Sequence, residues 1–450
     1  MKQHVTPLVE QSVFEAVSSQ IPKLISERVV GSVSAIRGMT IAAIGLPVPI
    51  GARCLIRPRA GAAVEAEVVG LRDTQAILSA FCEPNGVSPG DPVECLPSAA
   101  QARVGFDLLG RVIDGRGCPL DHAVAPLLNL RYPLYRDAPA PFERARIDQP
   151  LSLGVRSIDA LLTAGRGQRL GIFAGTGVGK SVLMGTICRH TSADVNVIAL
   201  IGERGREVGD FVRTQLGPDG LARSVVIACT SDEAPTLRVS ACFLATAIAE
   251  FFRDQNLNVL LMMDSITRLA MAQRQIGLAA GEAPTSKGYP PSVYSLLPRL
   301  LERAGRTHSG SITGVYTVLV EGDDIGEPLA DAVRGILDGH IWLSRSLAAR
   351  GHYPAVDVLN SISRVMDDVV DEPHLAASAA VRRVLATWSE IEDLVSIGAY
   401  VKGANAEYDT AVRTRDAVQA FLRQPRGKGC TLEQTRAELL ALGARIQKAE

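Results

Sequence analysis

Residues 174–181, with the sequence AGTGVGKS, have the types and spacing needed to hold a phosphate group. Glycines in such a loop let backbone N–H groups turn toward phosphate oxygens. Lys180 can reach the outer phosphates, and the Ser181 hydroxyl can hold Mg²⁺. Ala174 replaces the first glycine of the pattern, at a position that needs only a small residue. The sequence therefore predicts a phosphate-binding loop made of Ala174, Gly175, Thr176, Gly177, Val178, Gly179, Lys180, Ser181 and Val182.

The segments around this loop fit a strand followed by a helix. The apolar run LGIF precedes the loop, and SVLMGTICRH follows it with helical composition. A helix that begins at the loop would add the partial positive charge of its N-terminus. A glycine-rich turn that binds nothing is the alternative, and the two flanking elements disfavour it.

Asp264 is a single carboxylate at the end of the apolar run NVLLMMD. In an open parallel sheet, ligands bind beyond the carboxyl ends of the strands, where such a residue would lie. An acid at this position is expected on the Mg²⁺ side of a phosphate-loop enzyme. Its alternative role is to cap the helix that TRLAMAQRQ predicts, but a neighbouring phosphate loop favours the metal role.

A second strand end carries Glu203 and Arg204, in VNVIALIGERGREV. Glu203 is placed to orient or deprotonate an attacking water, and Arg204 and Arg206 could meet phosphate charge. The alternative is an ion-pair cluster that opens the next helix. Arg364, in NSISRVMDD, could stabilise developing phosphate charge, but spacing alone gives it no better role than a surface arginine.

Composition restricts the class of protein. The chain has 450 residues, 47% of them apolar, and 47 basic against 48 acidic residues, so the totals do not indicate a broadly basic nucleic-acid-binding surface. Its eight cysteines contain no CxxC pair, which is typical of buried thiols in a reducing compartment. The N-terminus lacks the apolar segment of a secretory signal, and the stretch 239–252 is too short and polar for a membrane span. We therefore expect a soluble cytoplasmic protein.

Changes in periodicity predict four segments. Residues 1–25 are predicted to form a short arm, in which TP followed by Phe14, Val17 and Ile21 suggests a helix that either docks a partner or packs on its own domain. Alternation such as AVEAEVVGL predicts a small antiparallel β-barrel over 26–98. Near-continuous apolar strands at 170–174, 195–201, 224–228, 258–264 and 312–320, separated by helices, predict an α/β domain with a parallel sheet over 99–370. Helical spacing predicts a C-terminal helical domain over 371–450.

Several motifs together give the chain a resemblance to a known family. GIFAGTGVGKS, IGERGREV, LLMMDSITR, KGYPPSVYSLLPRLLERAG, GHYPAVDVLNSISR and IGAYVKG resemble the flagellar and type III secretion ATPases, which are related to the catalytic subunit of the rotary F-type ATP synthase. The resemblance covers about residues 26–425. It implies an N-terminal β-barrel, a RecA-like P-loop core and C-terminal helices, assembled into a homohexameric ring that hydrolyses Mg²⁺-ATP.

The resemblance also implies roles for individual residues. Lys180 and Ser181 match the phosphate and Mg²⁺ residues, Glu203 the general base and Asp264 the Walker B acid. Two further positions are matched only through the family. Arg364 corresponds to an arginine finger that reaches the adjacent subunit's site, and Tyr353 corresponds to the aromatic ring that stacks on adenine.

The partners that the resemblance implies are a stator-like regulator at the N-terminal arm, a central stalk-like protein, an export gate and chaperone–substrate complexes. It implies no nucleic-acid partner, and a cytoplasmic position at the inner face of the inner membrane. LAMAQRQIGLAAGEAPTSKGYPPSV and VYTVLVEGDDIGEPLADAVRGILDGHIWLSR resemble the flagellar branch.

Three alternatives stay open at this point. An injectisome ATPase would differ only in its client proteins, and a rotary synthase subunit would need partner subunits of a second kind. A ring-shaped RNA translocase would need exposed aromatics and a basic groove in its N-terminal domain. Residues 1–98 contain only Phe14 and Phe81 as aromatics, which disfavours the translocase.

Overall fold

The computed structural model describes residues 29–96, 100–121, 123–320, 322, 324 and 326–449. The chain forms two compact units, of which the first ends at Ala100 and the second begins at Gln101. The arm predicted for residues 1–25 lies outside the described residues.

The first unit is a closed antiparallel barrel, in which buried and half-buried residues alternate along Arg53–Ile56 and the first part of Val64–Arg72 because one face is the core. Its strands are β1 (Val30–Arg37), β2 (Thr40–Ile44), β3 (Arg53–Ile56), β4 (Val64–Arg72), β5 (Gln75–Ala80) and β6 (Pro92–Cys95). The order is β1-β2-β5-β4-β3-β6, and β6 pairs with β1 to close the ring. Closure leaves no unpaired sheet edge in the barrel.

The aromatic ring of the barrel does not face solvent. Phe81 is 2% exposed, and the Arg53 guanidinium lies 4.9 Å from its ring centre. A single-stranded nucleic acid stacks its bases on exposed aromatic rings. The described part of the barrel therefore lacks the stacking platform that an RNA translocase requires.

The second unit is built on a mostly parallel sheet of long apolar strands. The sheet order is β19-β18-β12-β17-β15-β13-β14-β8, with β16 paired to β17 and with β19 antiparallel at one edge. Its strands are β8 (Val112–Asp114), β12 (Arg169–Ala174), β13 (Val195–Glu203), β14 (Ser224–Thr230), β15 (Asn258–Asp264), β16 (Gly305–Arg306), β17 (Ser311–Leu319), β18 (Gly339–Leu343) and β19 (Val356–Ser363). Two short ladders complete the strands, β7 (Gln101–Val104) with β9 (Leu130–Pro133), and β10 (Pro150–Leu151) with β11 (Ala164–Gly165).

Helices cover the sheet, and this explains why its strands are apolar along their whole length. The described helices are α1 (Arg156–Leu161), α2 (Lys180–His190), α3 (Gly205–Asp210), α4 (Gly217–Ala222), α5 (Pro235–Asp254), α6 (Ile266–Ala280), α7 (Pro291–Leu301), α8 (Pro328–Ile336), α9 (Arg345–Ala349), α10 (Met366–Val369), α11 (Glu372–Ser396), α12 (Ala406–Leu422) and α13 (Leu432–Gln447). A π-helical turn, Phe211–Leu216, continues α3.

Helix α5 is long and apolar enough to cross a membrane, but 94% of its most apolar 18-residue stretch is buried inside the structure. Its Glu250 accepts two hydrogen bonds from Arg303, at 2.9 and 2.8 Å, and both side chains are buried. A buried ion pair with this geometry satisfies charges inside a folded core. We therefore describe α5 as the central core helix of the second unit.

The three C-terminal helices are capped by side chains and share a core with the phosphate-loop helix. Asp371, Asn405 and Thr431 accept hydrogen bonds from backbone N–H groups at the starts of α11, α12 and α13. Apolar residues of all three helices belong to the same buried cluster as those of α2. This packing brings the connection between α12 and α13 to the loop after β12.

The predicted fold class is confirmed, because the chain has the barrel, the parallel sheet and the C-terminal helices in the expected order. The five predicted core strands correspond to β12, β13, β14, β15 and β17, with ends displaced by at most two residues. The domain limits at residues 25, 98 and 370 stay predictions.

Candidate active site

The predicted phosphate loop connects the buried strand β12 to helix α2. Gly177 and Gly179 have φ angles of 80° and 94°, in the left-handed region that favours glycine, so the backbone can curl around a ligand. Ala174 is fully buried at the end of β12, which explains the small residue there. Val178 is also buried and anchors the loop, whereas Thr176 and Ser181 are exposed.

Three charged residues meet beside this loop, at the carboxyl edge of the sheet. The Lys180 ammonium contacts Asp264 Oδ1 and lies 3.9 Å from Glu203 Oε1. Lys180 begins α2, while Glu203 and Asp264 end the neighbouring strands β13 and β15. Together with the loop they line a cavity of about 560 Å³. The structure thus brings together the residues that the sequence predicted at separate strand ends.

Thr317 on β17 fixes the position of the Asp264 carboxylate. Strand β17 lies between β12 and β15, and the Thr317 hydroxyl donates to Asp264 Oδ1 at 2.6 Å. Asp264 itself is only 4% exposed. The sequence analysis did not single out Thr317, and only the strand order could have indicated it, because it lies in the apolar run of a predicted strand.

The environment of Glu203 shifts its titration toward neutral pH. Its pKa is raised to about 7, with burial as the largest cause and the charge of Asp264 as the next. Lys180 and Arg268 act in the opposite direction because positive charge favours the carboxylate. A carboxylate with this pKa can accept a proton near physiological pH.

The arginines around Glu203 differ in exposure. Arg204 lies on the rim of the cavity with its side chain 82% exposed, and its Nη1 is 3.6 Å from Glu207 Oε1. Arg206 is 92% exposed and pairs with Asp210. Arg268, which the sequence analysis missed, lines the cavity, and its Nε is buried without a hydrogen-bond partner in the described part of the chain. The position of Arg268 directly after LLMMDSIT is the sequence signal that could have placed it at the site.

A second, mostly apolar cavity adjoins the phosphate loop, and both cavities are lined by Gly179 and Val182. Tyr353 forms one side of it, with its ring beside Gly179. The connection between α12 and α13 also lines it, with Gln424 and Arg426. The Arg426 guanidinium lies 5.1 Å from the centre of the Tyr353 ring.

Gln424 holds this connection in place. Its backbone N–H donates to the Tyr353 carbonyl at 2.9 Å, and its side-chain amide donates to the Gly154 carbonyl at 2.9 Å. Its side-chain carbonyl accepts from the Arg156 N–H at 2.8 Å. The sequence analysis missed Gln424 and Arg426, because a short link between two helices carries no signal of a cavity far away in the chain.

Arg364 lies apart from this arrangement. It follows β19, its side chain is exposed, and its backbone N–H donates to the Asp338 carbonyl at 3.0 Å. Arg364 is not among the described residues that line the phosphate-loop cavity of its own chain. The role of Arg364 as an arginine finger therefore stays a prediction.

The oxygen donors beside the loop fit a magnesium ion. Ser181 offers a hydroxyl and Asp264 a carboxylate, and both line the phosphate-loop cavity. Within the described ranges, no group of three or more His, Cys, Asp or Glu could hold a metal ion on its own. Mg²⁺ commonly binds through one or two protein oxygens together with phosphates and water, so this small donor set suits it.

A phosphate loop between strand and helix, with carboxylates at the next strand ends, defines a P-loop nucleotide hydrolase built on a parallel sheet. Residues 154–363 match the model of the ATP synthase alpha/beta family, nucleotide-binding domain, and residues 370–441 match the T3SS EscN ATPase C-terminal domain. The chain belongs to the family of flagellar and type III secretion ATPases.

Individual relatives match along nearly the whole chain. The "Flagellum-specific ATP synthase" of Bacillus subtilis is 49% identical, over 92% of this chain and 94% of the relative. The "Type 3 secretion system ATPase" of Xanthomonas euvesicatoria is also 49% identical, over 96% and 97%. The solved structure of the assembled ATPase EscN from enteropathogenic E. coli is 46% identical with a TM-score of 0.87, over 92% of this chain and 100% of that one. EscN has also been solved in complex with its central stalk EscO, and that structure matches with a TM-score of 0.85 at the same identity and coverage.

Proposed function

We propose that this chain hydrolyses Mg²⁺-ATP as the ATPase of a flagellar protein export apparatus. The observation that carries the proposal is the meeting of Lys180, Asp264 and Glu203 beside the phosphate loop, next to the apolar cavity of Tyr353. The charged cavity suits a triphosphate, and the apolar one suits a nucleobase stacked on an aromatic ring. Full-length relatives with flagellar and type III secretion names support the assignment.

Lys180 and Glu203 have complementary tasks in this proposal. Lys180 exchanges its contact with Asp264 for the outer phosphate oxygens of ATP, where its charge offsets the charge that develops in the transition state. Glu203 orients a water molecule in line with the γ-phosphate and accepts its proton on a carboxylate oxygen. The phosphorus–oxygen bond to ADP breaks, and the products are ADP and inorganic phosphate.

Ser181 and Asp264 would hold Mg²⁺, which when bound neutralises phosphate charge. Thr317 keeps the Asp264 carboxylate in place, so that it can serve the metal site once Lys180 has turned to the phosphates. Tyr353 stacks on the adenine ring, and the backbone N–H groups from Gly175 to Gly179 donate to phosphate oxygens. We assign to Arg204, at the cavity rim, a subsidiary contact with phosphate charge.

The exposed position of Arg364 supports a ring of six identical subunits in which each Arg364 acts on the neighbouring subunit's ATP. An arginine contributed in trans stabilises phosphoryl transfer strongly, by about 10³–10⁵-fold in related chemistry. Subunits with Arg364→Ala and subunits with Lys180→Ala would each be inactive alone. Mixed rings should regain activity, because some interfaces pair an intact loop with an intact finger.

The mixing test needs proof that the two variants share rings. Mixed rings can be isolated with two different affinity tags, and their ATP turnover compared with that of each pure variant. Partial recovery supports action between subunits. No recovery in confirmed mixed rings would contradict it.

The export role extends to partners and location. We propose that a stator-like regulator binds the N-terminal arm, that a central stalk-like protein enters the ring, and that an export gate and chaperone–substrate complexes bind the assembly. The ring would act in the cytoplasm, at the inner face of the inner membrane. The second candidate is an injectisome ATPase, since the Xanthomonas relative is as similar as the Bacillus one.

An experiment in the source organism distinguishes the two candidate functions. Lys180→Ala removes the phosphate ligand, and Lys448→Ala, at an exposed position on the C-terminal side of α13, is the matched control. Loss of swimming and of exported filament protein in the Lys180 variant alone supports flagellar export. Normal swimming with loss of other secreted proteins assigns the chain to an injectisome, and normal behaviour in both assays contradicts an export role.

A further inference from the structure

The barrel brings two cysteines face to face. Cys54 on β3 and Cys95 on β6 are direct partners in the antiparallel register of these strands. Cys54 is fully buried in the barrel core, and Cys95 is half-buried and packs against the same core. Directly opposed residues project to the same side of a sheet, so both thiols lie on the interior face.

The backbone hydrogen bonds show which kind of antiparallel pair this is. The Leu96 N–H donates to the Arg53 carbonyl at 2.8 Å, so the hydrogen-bonded position is the neighbouring one. The Cys95 N–H instead donates to the Val29 carbonyl, away from β3. Cys54 and Cys95 are therefore a non-hydrogen-bonded pair, in which Cα atoms approach to about 4.5 Å and the side chains lie closest. That separation is within the range that a disulfide bridges without backbone movement.

We propose that Cys54 and Cys95 form a reversible dithiol–disulfide site whose oxidant is a small-molecule disulfide such as oxidised glutathione. The Cys95 thiolate attacks one sulfur of the oxidant, which forms a mixed disulfide and releases one glutathione thiolate. Cys54 then attacks the Cys95 sulfur, and the second glutathione leaves as a thiolate that takes up the Cys54 proton. The protein loses two electrons and two protons, and one oxidised glutathione becomes two reduced ones.

The different exposure of the two thiols fixes the order of these steps. Burial, as the largest cause, and the adjacent Cys95 together raise the pKa of Cys54 to about 12. Cys54 is therefore a poor first nucleophile, and it is out of reach of a glutathione-sized oxidant. Cys95 reacts first, and the slow second step allows the mixed disulfide to be trapped at short times.

Other cysteines of the chain serve as internal controls. Cys82 and Cys118 are exposed, and neither faces another cysteine in the described strand pairings, so glutathione disulfide converts them only to mixed disulfides. Cys188 is fully buried, and burial raises its pKa to about 12, so it stays unmodified. The three environments should give three distinct products in one sample.

The experiment uses the full-length reduced protein with all its cysteines, at a low protein concentration that limits links between chains. The protein is equilibrated in buffers of increasing oxidised-to-reduced glutathione ratio, quenched with acid and mapped by mass spectrometry of unreduced peptides. We expect a peptide that joins Cys54 to Cys95, which increases with the ratio and disappears with dithiothreitol. In Cys54→Ala, the glutathione adduct on Cys95 should persist. In Cys95→Ser, Cys54 should stay unmodified.

The proposal is overturned if Cys95 accumulates as much glutathione adduct in the parent as in Cys54→Ala, with no joined peptide. The fold of each reduced variant is checked by its ATP turnover and thermal midpoint. Cys54→Val is the second variant in case the alanine leaves a destabilising void. Because the readout is a covalent bond in the barrel, it is independent of the proposed export function.

Discussion

In the proposed site, the phosphate side, which is the cavity beside the phosphate loop, and the base side, which is the apolar cavity beside Tyr353, are built in different ways. On the phosphate side, Glu203 and Asp264 end the adjacent strands β13 and β15, and Lys180 begins the helix after the phosphate loop and contacts both carboxylates. On the base side, Tyr353 meets Arg426 from a link between two C-terminal helices. One side is therefore fixed by a single sheet, whereas the other depends on the packing of distant segments.

This difference predicts a division of labour. Charges beside the γ-phosphate act where charge develops in the transition state, so their loss lowers kcat. Apolar contacts to the base are the same in the ground and transition states, so their loss raises KM and leaves kcat unchanged. Variants on the two sides should fall into these two kinetic classes.

The largest effect is expected from Glu203→Gln. The amide keeps the shape of the side chain but cannot accept the proton of water, so kcat should fall by about 10²–10⁴-fold while the KM for ATP stays within about threefold. Glu207→Gln is the matched control, because Glu207 is half-exposed beside Glu203. Steady-state turnover of purified rings measures both. Near-normal turnover of Glu203→Gln would remove this residue from the role of base.

The pH dependence of ATP turnover should report the titration of Glu203. Because burial raises the pKa of Glu203 to about 7, the carboxylate is protonated below that pH and cannot act as a base. We expect kcat/KM to rise with pH and to level off above about pH 7, with about a tenfold loss for each unit below it. The fall of kcat/KM below about pH 7 should be absent from the residual activity of Glu203→Gln. An unperturbed Glu203 would instead give a profile that is flat from about pH 6 to about pH 8.

The smallest effect is expected on the base side. Tyr353→Ala removes the stacking surface, worth about 1 kcal/mol beyond its buried area, so the KM for ATP should rise by about 5–10-fold with kcat nearly unchanged. Tyr353→Phe keeps the ring and should behave like the parent. Turnover at a series of ATP concentrations separates the two parameters. A loss confined to kcat in Tyr353→Ala would break the division between the two sides.

The same difference explains how much of the site the sequence could predict. A phosphate loop and carboxylates after apolar runs are local patterns, so Lys180, Asp264 and Glu203 were found from the residues themselves. Tyr353 was expected only through the family resemblance. Arg426 was missed because its meeting with Tyr353 depends on how the C-terminal helices pack.

Long-range pairing limits prediction in the barrel as well. Cys54 and Cys95 were interpreted as two of several scattered thiols, since periodicity predicts strands but not which strands become neighbours. Only the register of β3 with β6 makes the two cysteines partners. The buried ion pair of Glu250 and Arg303 could not be predicted either, because no pattern in the sequence links the two positions.

Gln424 has a consequence for how the molecule could transmit force. Its amide and backbone tie the wall of the base cavity to Gly154, to Arg156 and to Tyr353, and it sits between helices α12 and α13. By thermodynamic reciprocity, a nucleotide that tightens this wall holds the two helices more firmly, and a protein that pulls on the helices alters nucleotide affinity by the same factor. Gln424 therefore connects the wall of this cavity to the link between α12 and α13 through both its side chain and its backbone.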